Sequence, residues 1–342
     1  MRFEPRWIAW EITQRCNLRC IHCRTKADIN KKDSLTFKEA LRILDDISSY
    51  TRPTVVLTGG EPLLRKDVFD IAKYGTKKGL KMCLATNGTL VNNKICEMIK
   101  ESGIQVVSLS IDGSCGEVHD DFRQQKGSFD GVMRAVSKLR GYNIPFLINS
   151  SFTKRNIHDV ENVYRLCREL KPVAWYMFSV VPTGRARDIF EELLDGKQIE
   201  RVLRWHLETE LKEKDMIMRP TCAPYYYRLI EEKKFLNRKT LKFSPGGFKG
   251  CVAGQFIAFI DEEENVKPCS YFLRDAGNLK QQSFSDIWEK SEIFRNLRNY
   301  KEYKGKCGRC KYLGVCGGCR VKADAMYGDY MQEDASCTYE PI

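Results

Sequence analysis

The chain has 342 residues, 42% of them apolar, 30% charged and 11% aromatic, a globular balance that excludes a disordered, collagen-like or fibrous protein. No apolar run approaches the roughly 18 residues of a membrane span, and MRFEPRWIAW lacks the apolar stretch of a secretory signal, so the expected location is cytoplasmic. Lys and Arg outnumber Asp and Glu by 57 to 45, and the resulting +12 suits either an acidic partner or a solvated basic surface.

Six short apolar or β-branched runs, at 8–13, 54–58, 81–86, 105–111, 145–152 and 175–181, read as strands. Helical periodicity lies between them at 37–47, 68–77, 92–101, 129–139 and 160–170. Alternation of this kind predicts an α/β fold with parallel strands, a barrel or doubly wound sheet whose active site lies at the carboxyl ends of the strands. Those ends read TGGEP, ATNG, SIDG, NSS and VPTG. A charged helical region at 187–214 follows as a packing or bridging helix. The runs 256–260 and 266–272, separated by DEEEN, then read as a hairpin, and 285–299 as a helix. Residues 1–215 are expected to form the α/β domain with its bridging helix, and 216–342 a smaller cysteine-rich domain.

Fifteen cysteines in a chain without an export signal point to metal ligands more than to disulfides. Cys16, Cys20 and Cys23 form Cys-x3-Cys-x2-Cys directly after the first strand. Three thiolates on one tight loop can hold three irons of a four-iron cluster and leave the fourth open; a zinc site would need a fourth ligand, for which His22 is nearest. Seven more cysteines lie toward the carboxyl terminus: Cys251, Cys269, Cys307, Cys310, Cys316, Cys319 and Cys337. Two close pairs there could make a zinc ribbon, but too few residues separate them. Cys83, Cys96, Cys115 and Cys167 are scattered and assigned to packing.

The segment CNLRCIHC, followed by Gly59, Gly60, Glu61 and Pro62 at the next strand end, resembles the radical S-adenosylmethionine (SAM) superfamily. That resemblance implies a partial six-stranded (β/α) barrel and a cluster whose open iron chelates S-adenosylmethionine. GGEP would bind the methionine moiety. His22 would stand beside the adenine, and Ser110, Asp112 and Arg123 would contact the ribose and the methionine carboxylate. Asn149 and the VPTGR turn match more weakly. An electron donor, a reductase or a flavodoxin or ferredoxin, is implied as partner.

The carboxyl-terminal cysteines resemble the SPASM extension of the same superfamily. By that likeness Cys307, Cys310, Cys316 and Cys337 would ligate an outer four-iron cluster. Cys251, Cys269 and Cys319 would ligate an inner one, with Cys222 or an open site as fourth, giving three clusters in all. Two departures stand out: Glu264 replaces a usual glycine, with Asn265 able to tolerate a left-handed turn, and only two residues separate Cys316 from Cys319. The segments VPTGRA, TCAPYYYR, CVAG and CGGCRVKADAMYGDYMQEDASC resemble the heme d1 and alternative heme biosynthesis group. The expected activity is therefore removal of carboxylate or acetate groups from an iron tetrapyrrole, for which no catalytic side chain is named. A peptide or protein maturase is the alternative. A zinc-binding nucleic-acid protein would explain the charge and the tail cysteines, but not a cysteine loop followed by GGEP.

Overall fold

The computed structural model describes residues 3–233 and 249–341. The expected strands are present as β1 (Trp7–Glu11), β2 (Thr54–Thr58), β3 (Lys81–Thr86), β4 (Val106–Ser110), β5 (Phe146–Phe152) and β6 (Ala174–Ser179). All six run parallel in sequential order. Helices α1 (Phe37–Tyr50), α2 (Val68–Lys77), α3 (Asn93–Glu101), α4 (Gly116–Arg123), α5 (Ser128–Gly141) and α6 (Val160–Leu170) connect them. The α1 sequence shows why: Thr36 and Glu39 form a capping box, and Ala40, Ile43, Leu44 and Ile47 make a helix-spaced apolar stripe buried against the sheet. No periodic pattern predicts α4, because two of its three buried residues, His119 and Arg123, are polar.

Alternation along β5 separates the two faces. Phe146, Ile148, Ser150 and Phe152 are buried, whereas Leu147, Asn149 and Ser151 are half-buried on the face opposite. Ile8, Trp10, Leu84, Leu109 and Trp175 join the helix-covered core, each burial worth about 1.5–3 kcal/mol for residues of this size.

The sheet reaches beyond the six strands. After α7 (Gly196–Glu210), strand β7 (Ile217–Thr221) adds in parallel to β6, and α8 (Tyr226–Glu232) follows. Strand β8 (Ile257–Ile260) pairs in parallel with β1, while β9 (Asn265–Lys267) and β10 (Gly277–Asn278) add antiparallel beyond it. The result is one ten-stranded sheet, open at β7 and β10 among the described residues, so the cysteine-rich part continues the sheet of the barrel. The chain then runs through α9 (Phe284–Lys290), α10 (Glu292–Arg298), α11 (Gly305–Gly308), α12 (Leu313–Cys316) and α13 (Arg320–Tyr327).

Three local readings change. The helix expected from residue 187 begins at Gly196, because Asp195 caps it in a box with Gln198. The helix expected at 285–299 is two, broken where Ser291 is extended at ψ 135. In the hairpin turn the left-handed residue is Glu264 itself, at φ 71, rather than Asn265; its buried carboxylate pairs with Arg42. Cys96 and Cys167 are buried as expected, but Cys115 is exposed, at the start of α4.

Candidate active site

The loop carrying Cys16, Cys20 and Cys23 leaves β1 and is fastened from five directions. From the end of β2, the Gly60 N–H donates to the Thr13 carbonyl at 2.8 Å and the Glu61 N–H to that of Arg15 at 2.7 Å, so Gly59 and Gly60 lie against the loop. Pro62 then opens a short buried turn. From the end of β3, the Asn87 side-chain amide donates to Asn17 at 2.9 Å, and Asn17 donates to Thr89 at 2.8 Å. From α4, the Phe122 carbonyl accepts from the Ile21 N–H. Beyond β6, Arg185 donates to the carbonyls of Cys20 at 2.8 Å and Ala27 at 3.0 Å. Arg24, on the loop itself, pairs with Glu11 of β1 at 3.0 Å and lies over the Phe259 ring of β8.

Cys16 and Cys20 are buried with Leu18 and Ala27, and Cys23 packs at the edge of this small apolar nest. Burial pushes the Cys16 thiol up to about 12. For Cys23 burial also works upward, but the Arg185 charge and nearby donors outweigh it and hold the thiol below its usual range. The His22 ring stacks on Phe122 with centroids 4.5 Å apart. Burial, followed by the charges of Arg123 and Arg185, holds the imidazole neutral, and its Nδ1 has no partner among the described residues. The donor set is thus three sulfurs in an apolar pocket, which suits an iron–sulfur cluster with one open iron.

The expected cofactor-contacting residues divide. Ser110 and Asn149 are neighbours in register at the carboxyl ends of β4 and β5. Asn149 donates to Ser108 at 2.7 Å, while its Oδ1 is buried and unpartnered among the described residues. The Thr183 hydroxyl, in the turn after β6, is likewise unpartnered. Both atoms are open to a polar partner.

Two carboxylates expected to meet the cofactor have other work. Glu61 is fully buried and accepts from the Leu63 N–H, the Thr86 hydroxyl and the Asn87 N–H at 3.0, 2.8 and 2.8 Å; burial still raises it to about 7. It shapes the loop between β2 and β3. Asp112 is fully buried, accepts from the Ser151 N–H at 2.7 Å and pairs with Arg123 at 2.5 Å, so a ribose has no access to it. Arg123 in turn points Nη1 at the Cys20 sulfur, 3.6 Å away. Arg24 and Arg185 were not singled out as site residues in the sequence, although the VPTGR strand end was visible there.

The carboxyl-terminal cysteines separate into two sets. Cys307, Cys310, Cys316 and Cys337 line one cavity together with Tyr225, whose buried hydroxyl has no partner among the described residues. Cys222, Cys251, Cys269 and Cys319 form the second set. Burial pushes all four thiols up, and Cys222 lies close enough to the other three to couple to them electrostatically. Cys222 stands at φ 59, a left-handed conformation that a side-chain-bearing residue keeps only when its surroundings impose it. The short Cys316–Cys319 spacing is bridged by Gly317 and Gly318, both left-handed at φ 76 and 58, which lets the two cysteines face different sets.

Comparison with known proteins shows the family and the fold. Residues 10–167 match the model of the radical SAM superfamily, and residues 251–311 match SPASM, an iron–sulfur cluster-binding domain. The AdoMet-dependent heme synthase of Methanosarcina barkeri is 41% identical, covering 100% of this chain and 98% of its own. The Fe-coproporphyrin III synthase of the same organism is 30% identical over 96% of this chain and 87% of its own. In fold, the chain is similar to Streptococcus suis SuiB bound to S-adenosylmethionine, with a TM-score of 0.77, 17% identity and coverage of 98% of this chain and 77% of that one. Among the described residues no helix is long and apolar enough to cross a membrane.

Proposed function

The chain belongs to the radical SAM superfamily and carries its SPASM extension, and from that premise we propose that it acts on an iron tetrapyrrole in heme or heme d1 biosynthesis, removing carboxylate or acetate side-chain groups. It is a radical SAM enzyme, using S-adenosylmethionine and iron–sulfur clusters. The observation that carries the tetrapyrrole reading is the 41% identity, over the whole chain, to a heme synthase. A net charge of +12 suits a polycarboxylate, since arginine can clamp carboxylates bidentately.

Cys16, Cys20 and Cys23 would hold the first cluster. Such a cluster, when bound and reduced, would supply the electron for reductive cleavage of S-adenosylmethionine. The protein's part is placement. The neutral His22 ring, fixed on Phe122, offers a flat face to the adenine. Ser110 and the free Oδ1 of Asn149 offer polar contacts at the adjoining strand ends, and the backbone of Gly59, Gly60, Glu61 and Pro62 closes the methionine side. Cys307, Cys310, Cys316 and Cys337 would hold an outer cluster, and Cys222, Cys251, Cys269 and Cys319 an inner one, for three four-iron clusters. The electron donor is a reductase or a flavodoxin or ferredoxin.

The test offers reduced enzyme and S-adenosylmethionine a choice of side-chain-deuterated didecarboxysiroheme, iron-coproporphyrin and candidate peptides. Deuterium transfer from one tetrapyrrole into 5'-deoxyadenosine is expected. Transfer only from a peptide would replace this reading with that of a maturase, and tight tetrapyrrole binding without transfer would refute it.

A further inference from the structure

Five cationic side chains of the described residues are buried: Arg65, Arg123, Arg228, Arg320 and Lys322. Three have carboxylate partners, Asp67 for Arg65, Asp112 for Arg123, and Glu200 with Glu232 for Arg228. Arg320 and Lys322, 1% and 4% exposed, form no ion pair with any carboxylate of the described residues. An isolated buried cation costs several kcal/mol, so a counter-anion is to be expected nearby.

Aromatic rings and cysteines surround them instead: Arg320 lies over the Tyr303 ring at 4.6 Å and Lys322 over that of Tyr225 at 6.0 Å. Arg320 spends Nε and Nη1 on the carbonyls of Gly318, Tyr330 and Gln332, which leaves Nη2 aimed at the Cys307 sulfur at 3.3 Å. Lys322, three residues after Cys319 on the same helix start, donates to the Ser179 hydroxyl at 3.2 Å, at the carboxyl end of β6. The buried carboxylate of Asp334 accepts from the N–H groups of Cys319 at 2.7 Å and Ser336 at 2.9 Å and offsets part of the Arg320 charge without pairing with it. The two cations stand two residues apart in the first turn of α13, directly after Cys319, and Arg320 lies beside Cys307 of the outer set and also beside Cys251 of the inner one.

We infer that Arg320 and Lys322 are counter-cations of the auxiliary clusters, Arg320 chiefly of the outer and Lys322 of the inner, each raising the reduction potential of the cluster it faces. This rests on the proposed reading of those cysteines as cluster ligands. The sign follows from charge: a fixed cation stabilises the reduced, more negative cluster more than the oxidised one. Lys322 also ties the start of α13 to the carboxyl end of β6 through Ser179.

The test is a potentiometric titration, followed by electron paramagnetic resonance, of the reconstituted full chain. Arg320→Gln is expected to lower the midpoint of one auxiliary cluster. At fixed potential its reduced-to-oxidised ratio should fall at least tenfold, about 59 mV for one electron. Lys322→Gln should do the same to the other, and Arg320→Lys and Lys322→Arg should restore each midpoint. Loss of a cluster in the Gln variant with retention in its charge-keeping counterpart also supports the inference. It is overturned if the midpoints do not move while the clusters remain, or if the charge-keeping variants lose their clusters too. Wild-type protein holding only the roughly four irons of one cluster would instead refute the cluster reading on which it stands.

Discussion

Arg185 donates its Nε–H to the carbonyl of Cys20 across 2.8 Å, joining the turn after the sixth strand to the cysteine loop after the first. Gly184 makes that approach possible: at φ 57, a Cβ there would lie 2.3 Å from the carbonyl oxygens of both Cys23 and Arg24. Gly184→Ala therefore adds a clash to a backbone strain of about 1–2 kcal/mol and must displace the loop. The expected result is loss of about four irons and of S-adenosylmethionine cleavage, with the remaining iron kept. Iron and sulfide analysis with a cleavage assay measures both, and unchanged values would show that the turn does not set the loop.

Replacing Cys16, Cys20 and Cys23 together by alanine should remove about four of about 12 irons and abolish cleavage. Replacing Cys307 and Cys310 should remove a different four, roughly, yet leave uncoupled cleavage, because those thiols lie in the separate cavity beside Tyr225. Cleavage that survives the first change would exclude the loop as the cofactor's site.

The strands and the cysteine loop were legible in the sequence because a parallel sheet announces itself in short apolar runs, and ligand spacing on one loop is local. What was not legible is set by contacts between distant segments. Asp112 carries a cofactor-like position in SIDG, but only the fold shows Arg123 and the Ser151 N–H consuming its carboxylate. β7 and β8 were missed as barrel neighbours because their parallel pairing with β6 and β1 follows long excursions of the chain. The division of Cys316 and Cys319 between two sets depends on two left-handed glycines, whose dihedrals sequence spacing does not report.

Cys222 offers a test in which strain and ligation separate. At φ 59 any side chain is strained, so Cys222→Gly should relieve about 1–2 kcal/mol relative to Cys222→Ala. Both variants remove the sulfur. If Cys222 is the fourth ligand of the inner set, both should lose the same iron and differ only in thermal stability. Full iron retention in both would make Cys222 a packed thiol instead of a ligand.

Glu210 gives the chain a pH dependence of predictable sign. The carboxyl lies buried on α7, accepting the Tyr226 hydroxyl beside a neutral, fully buried His206, and burial raises it from 4.5 to about 7 against the opposing charge of Arg219. Between those two values the folded state retains a proton that the unfolded chain has released. Stability from this group is therefore complete below about pH 4.5 and is lost as pH rises to about 7, by up to about 3 kcal/mol at about 1.4 per unit. Glu210→Gln keeps an oxygen for Tyr226 and cannot ionise. Its thermal midpoint, followed anaerobically from about pH 5 to about pH 8, should fall less than that of the parent chain. Some slope remains in the variant, because burial also raises Glu61 and Glu262 to about 7. Equal slopes in parent and variant would mean that Glu210 ionises as readily folded as unfolded, and the buried Glu210–Tyr226 bond would then have to be open to water.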